Sequence, residues 1–110
     1  MSMYVILWRF RPAVGREGEF EHANGPSGQW ARLFALEDGY LGTELLLRRS
    51  EDGSGEYLTL DRWASGAAYE AFRARRGGEY GRLDRRLEGL TEEETLVGAF
   101  EALSLGESDC

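Results

Sequence analysis

Two rhythms alternate along this chain, and their order constrains the fold more than any single residue does. Alternation of side chains between two faces marks a strand, and recurrence at spacings of three and four marks a helix. The segment Tyr4–Arg11, YVILWRFR, alternates: Tyr4, Ile6, Trp8 and Phe10 share one face, and Val5, Leu7, Arg9 and Arg11 share the other. Pro12 and Gly15 turn the chain out of it. Helical character follows from about Arg16, with Phe20 and Ala23 on one side and acidic Glu17, Glu19 and Glu21 suited to the first turns. The run Asn24–Gly28, NGPSG, interrupts this helix, because the residue before a proline avoids the helical region. Helical spacing resumes at Trp30, Leu33 and Phe34, with Gly39 as the expected C-cap.

A second strand, Tyr40–Arg49, sets Leu41, Thr43, Leu45 and Leu47 on one face. A turn-rich connection, SEDGSGE, leads to a third strand, Tyr57–Trp63, so the pair reads as a hairpin. The Gly53-Ser54-Gly55 run is no dinucleotide fingerprint, since strands flank it on both sides. Ser65 is a suitable N-cap for a helix whose stripe carries Tyr69, Phe72, Arg76, Tyr80, Leu83 and Leu87. Gly77-Gly78 weakens its middle. After an intervening TEEE, Thr95–Glu101 reads as a fourth strand. The expected organisation is one domain over residues 4–101 and a short acidic tail over 102–110.

The order β-α-β-β-α-β predicts an α+β, ferredoxin-like fold: a four-stranded antiparallel sheet with its helices on one face. The strands carry apolar residues on both faces, and helices can cover only one. The other would be left as an exposed apolar patch, which marks an interface. A second copy laid sheet to sheet would bury it, so a homodimer is expected.

Composition narrows the function. The 20 acidic residues outnumber the 13 basic ones, giving a net charge of −7, which disfavours a nucleic-acid partner. All the basic residues are Arg; without Lys there is neither Schiff-base chemistry nor a P-loop. Cys110 is the sole cysteine and His22 the sole histidine, so a thiolate cluster or a multi-histidine metal site within one chain is excluded. No apolar run reaches the roughly 20 residues of a membrane span. The first residues carry no secretory pattern, which makes the cytoplasm the expected compartment.

The βαββαβ order, the strand YVILWRFRP, the strand GYLGTELL and the run YLTLDRWAS leading into AYEAF and EY resemble the antibiotic biosynthesis monooxygenase-like family of the dimeric α+β barrel superfamily. The resemblance covers roughly Tyr4 to Glu101 and is most specific at Trp63, Ser65 and the aromatic-rich helix after them. It implies a homodimeric barrel with a pocket between sheet and helices in each subunit. It also implies oxidation of a phenol- or quinol-type aromatic by molecular oxygen, with no cofactor or metal. The alternative on the same fold is a non-catalytic, small-molecule-binding dimer. The haem-cleaving branch of the family uses an Asn on the first strand and a Trp and a His on the second helix. This sequence offers Trp8 or Arg9, Phe72, and Arg82 or Asp84 at those places, and so departs from haem degradation at all three.

The candidate catalytic residues are His22, Arg76 and Tyr80, and the candidate substrate-binding residues are Trp8, Asn24, Trp63 and Phe72. His22 is the one side chain that titrates near neutrality unperturbed, a natural base for a phenol. Arg76, on the apolar stripe, either snorkels to solvent or enters a cavity to stabilise a phenolate. Tyr80, one turn on, would share a hydrogen bond with the substrate. Asn24 would lie near the same end as His22, with helix capping as its plainer role. Trp63 either walls the pocket or staples strand to helix. Trp8 and Phe72 would help exclude water. Arg9 and Asp61 would pair if the mixed strand faces meet, and which parity of the third strand faces the helices stays open.

Overall fold

The computed structural model describes residues 3–103. The elements run β1 (Met3–Pro12), α1 (Glu17–Asn24), α2 (Gln29–Phe34), β2 (Tyr40–Arg49), β3 (Gly55–Trp63), α3 (Gly66–Leu87), a short 3-10 turn (Glu88–Leu90) and β4 (Thr91–Ala102). The strands form one antiparallel sheet in the order β2-β3-β1-β4. This is the expected ferredoxin-like α+β arrangement, with the first crossover split into two helices.

The split has a local cause. Gly25 ends α1 in an extended conformation, and Pro26 follows it. Gly28 then lets the chain fold back against α1, because a Cβ there would lie 2.2 Å from the carbonyl oxygen of His22. Gly39 is not the cap of α2, which ends five residues earlier at Phe34. It serves close packing instead: a Cβ on it would sit 2.4 Å from the Cβ of Ala68 on α3. Ser65 does cap α3, its hydroxyl accepting from the Ala68 N–H at 3.1 Å. The weak middle of α3 appears as a kink at Arg76, just before the Gly77-Gly78 pair. β4 starts at Thr91, so the acidic TEEE run is strand and not connection. It tolerates its charge because β4 is an edge strand open to water, and Glu93 meets Arg11 of β1 at 3.5 Å.

Trp63 decides which face of each strand is inside. It is fully buried, and Tyr57, Thr59 and Asp61 share its parity and its burial. On β1 the inner face is that of Ile6 and Phe10. The core gathers Ile6, Leu33, Phe34, Trp63, Phe72 and Leu83, with a satellite of Phe10, Phe20 and Tyr57. Burial of one such aromatic contributes about 1.5–3 kcal/mol. Arg9 and Asp61 therefore do not pair. Asp61 looks toward the helices, whereas Arg9 lies on the outer face beside Glu56 at 3.6 Å.

β2 breaks its alternation once. The register slips between Tyr40 and Gly42, and Gly42 takes a φ of 142°, which favours glycine. Leu41 is thereby thrown out of phase with Thr43, Leu45 and Leu47 and is exposed. Tyr40 and Thr43, three residues apart, come to the same inner face and hydrogen-bond at 2.6 Å.

No helix among the described residues covers the outer face of the sheet. Leu7, Leu46, Leu58 and Val97 line a shallow depression there, edged by Arg9, Arg48 and Glu56. Phe100 is also exposed, opposite Val5 in the register. No helix among the described residues is long and apolar enough to cross a membrane.

Candidate active site

A cavity of about 350 Å³ lies between the inner sheet face and the helices. That falls in the range of small-molecule sites. β1 contributes Trp8 and Phe10, and β3 contributes Thr59 and Asp61. Opposite them stand Asn24 of α1, Trp30 and Phe34 of α2, and Tyr80 of α3. Arg73 and Asp84 of α3 and Glu94 and Leu96 of β4, all exposed, form the rim. The aromatic walls are coupled: the Trp30 ring is 5.0 Å from Tyr80 and 6.0 Å from Phe34, and Trp8 stacks on Phe10 at 6.1 Å.

Asp61 is the buried acid of this cavity, 7% exposed. The Thr43 hydroxyl donates to its Oδ1 at 2.7 Å. A threonine has one hydroxyl proton, so the Tyr40 hydroxyl must donate to Thr43 across their 2.6 Å contact. The result is a directed chain, Tyr40 to Thr43 to Asp61. Burial pushes the Asp61 carboxyl up to about 6, and the Thr43 hydrogen bond opposes that rise. Burial, followed by the neighbouring Tyr69, pushes Tyr80 up to about 12. Tyr80 is therefore a proton donor at any ordinary pH. At the rim, burial and then Asp84 and Glu88 raise the Glu94 carboxyl. Arg73, also at the rim, donates to the Tyr69 hydroxyl at 3.1 Å and stands 4.3 Å over the Tyr80 ring.

The candidates from the sequence separate into three groups. Trp8, Asn24 and Tyr80 line the cavity. Asn24 donates from Nδ2 to the Phe20 carbonyl at 3.1 Å, which leaves its Oδ1 without a hydrogen-bond partner among the described residues. Trp63 and Phe72 are fully buried one layer behind the wall, in ring contact with Phe34 at 5.7 and 5.2 Å. The Trp63 Nε1–H has no hydrogen-bond partner among the described residues; the rings of Phe34, Tyr40, Tyr69 and Phe72 surround it. His22 and Arg76 lie outside. His22 is exposed on the far side of α1, in a depression with Arg16, Glu19 and Arg86. Arg76 donates to Glu37 at 3.0 Å and to Glu79 at 3.3 Å, and Arg75 meets the same Glu37 at 2.8 Å. These arginines hold Glu37 below the usual carboxylate range and tie the turn after α2 to the kink in α3.

Asp61, Thr59, Trp30 and Arg73 were not among the candidates. A signal for Asp61 was available: it stands two residues before Trp63, so a buried tryptophan would carry it inward on the same parity.

The sequence profile of the antibiotic biosynthesis monooxygenase family matches residues 3–77. The chain belongs to that family. Its fold is that of solved family-like structures. SnoaB, a cofactor-independent oxygenase from Streptomyces nogalater, superimposes in a variant form with a TM-score of 0.67 at 24% identity, over 97% of this chain and 100% of that one. A Pseudomonas aeruginosa protein gives 0.62 at 17% identity over 94% and 97% of the two chains. A Shewanella oneidensis protein gives 0.62 at 16% over 92% and 91%. No curated relative matches the sequence at a significant level. Membership of the family supports a monooxygenase-type function.

Proposed function

We propose that the chain is a cofactor-independent monooxygenase acting on an electron-rich phenol- or quinol-type aromatic. The observation that carries this reading is a ring-walled cavity whose wall bears one deeply buried carboxylate. Trp8 on one side and Trp30 and Tyr80 on the other offer flat apolar faces to a planar ligand. The family profile supports oxygenation.

Loss of a proton from the ligand leaves a phenolate or enolate. That anion can pass an electron to molecular oxygen directly, with the aromatic wall limiting contact of the radical pair with water. In the net reaction a ring CH₂ becomes a carbonyl. One atom of dioxygen forms the new C=O, and the other leaves as water with the two ring hydrogens. Tyr80, protonated throughout, would donate a hydrogen bond to the developing oxyanion. The free Oδ1 of Asn24 would accept from a ligand hydroxyl. Trp63 and Phe72 would hold the wall from behind. His22 and Arg76 take no part in this reading, because neither reaches the cavity. Haem fits the wall poorly, since it presents no imidazole or thiolate as an axial ligand and its one phenol, Tyr80, holds its proton.

The assembly we propose is a homodimer through the outer sheet face, where Leu7, Leu46, Leu58 and Phe100 lack a helical cover among the described residues. Oxygen uptake and quinone formation with 1,8-dihydroxyanthrone, using chelator-treated protein, test the activity. The expected result is turnover that falls by 10-fold or more in Tyr80→Phe and in Trp8→Ala. Tight binding of the probe without oxygen consumption would instead make the chain a binding module.

A further inference from the structure

We propose that Asp61 is the proton acceptor of the cavity, and that Tyr40 and Thr43, brought to one face by the bulge at Gly42, position its carboxylate. This rests on the cavity being the ligand site proposed above, and it names the group that makes the anion. The geometry supplies three arguments. First, Asp61 is the acid that the fold buries on the wall; Asp84 and Glu94 are exposed at the rim. Second, its two oxygens are not equivalent. Oδ1 is occupied by a donor, Thr43, whereas Oδ2 accepts no side-chain hydrogen bond among the described residues. An incoming proton therefore goes to Oδ2. Third, the chain that fixes Oδ1 exists only because of a local irregularity. In an unbroken strand Tyr40 and Thr43 would point to opposite faces, and the slip at Gly42 brings them together.

The step is a proton transfer with no change of oxidation state. An acidic O–H of a phenol, or the C–H of its keto tautomer, breaks. An O–H forms on Oδ2, and the electron pair stays on the ligand. A neutral, weakly acidic aromatic is the ligand class this favours; a carboxylate-bearing one would meet Asp61, Asp84 and Glu94 together. Titratable groups face Asp61 from three elements. They are Tyr40 on β2, Arg73, Tyr80 and Asp84 on α3, and Glu94 on β4; the cavity residues of β1, α1 and α2 carry no titratable group. Burial outweighs the one hydrogen bond that favours the anion and brings the carboxyl to about 6, where it is ionised at neutral pH yet basic enough to accept a proton.

Deuterium exchange separates this step from oxygen chemistry. Anthrone, whose ring CH₂ is acidic, is incubated with the full chain in D₂O under nitrogen, with occupancy followed by tryptophan fluorescence and exchange by mass spectrometry. We expect catalysed exchange that rises with pH through a limb near 6 in the wild type. Asp61→Asn should lose about 100-fold of it or more. Thr43→Val, which keeps the acid but removes its donor, should move the limb to higher pH, a readout that a merely structural threonine would not shift. Exchange at the wild-type rate in Asp61→Asn, failure of anthrone to bind, or an unmoved limb in Thr43→Val would overturn the assignment. Exchange without oxygen uptake in air would uphold Asp61 as the base while sinking the oxygenase reading.

Discussion

Replacing Asp61 by Asn should stabilise the protein at neutral pH, and the gain should vanish in acid. Proton linkage sets both the sign and the size of the effect. Unfolded, this carboxyl titrates near 3.8; folded, burial moves it to about 6. Between those values the native chain keeps a proton that the unfolded chain releases, so stability falls as pH rises through the window. Each pH unit across it costs about 1.4 kcal/mol, so the full penalty above the folded value is about 3 kcal/mol. Asn is isosteric with the protonated acid and can still accept from Thr43, yet it never ionises. The variant should therefore match the wild type near pH 4 and exceed it by about 3 kcal/mol at pH 8. In a domain of this size that corresponds to a melting-temperature difference on the order of 10 °C. Urea unfolding at a fixed protein concentration, repeated at half-unit pH steps, measures it directly. A gain independent of pH, or a variant less stable than the wild type at pH 8, would show that Asp61 carries no burial cost and would refute the argument. A buried acid held at such cost is the pattern expected where function outweighs stability.

Three further outcomes follow from the fold. Ser65→Ala removes the cap of α3 and should cost about 1 kcal/mol, read by chemical denaturation. Gly39→Ala should destabilise by roughly 1–3 kcal/mol, because the added methyl meets the Ala68 Cβ. Adding Ala68→Gly should recover part of that loss, and strictly additive costs would disprove the contact. The wild type should sediment as a dimer at micromolar concentration. Leu58→Asp, which puts a charge on the outer sheet face, should sediment as a monomer; a wild type that is already monomeric would end the dimer proposal.

The strand and helix order was legible because it is written in short-range periodicity. The Ser65 cap, the break after Asn24 and the weak middle of α3 were legible for the same reason: each depends on neighbours within a turn. The places where the reading failed are those where a distant segment intervenes. Gly39 looked like a helix cap, and its actual role is set by Ala68, far along the chain. The acidic run after Leu90 looked like a connection, and pairing with β1 makes it strand. Arg76 sat on the correct helical stripe, but the kink at that residue and the waiting carboxylate of Glu37 turn it outward.

The sequence by itself determined the α+β class and the surplus of apolar strand surface, because side-chain alternation and spacing are local properties of the backbone. Of the residues it singled out, Trp8, Asn24 and Tyr80 line the cavity. Only the tertiary structure decided that Asp61 is the buried acid of the cavity and that Tyr40 and Thr43 are chained to it. That decision lies in strand register: one slipped residue in β2 changes which side chains share a face. Register is fixed by the packing of the whole sheet against Trp63 and the helices, not by any stretch of residues read alone.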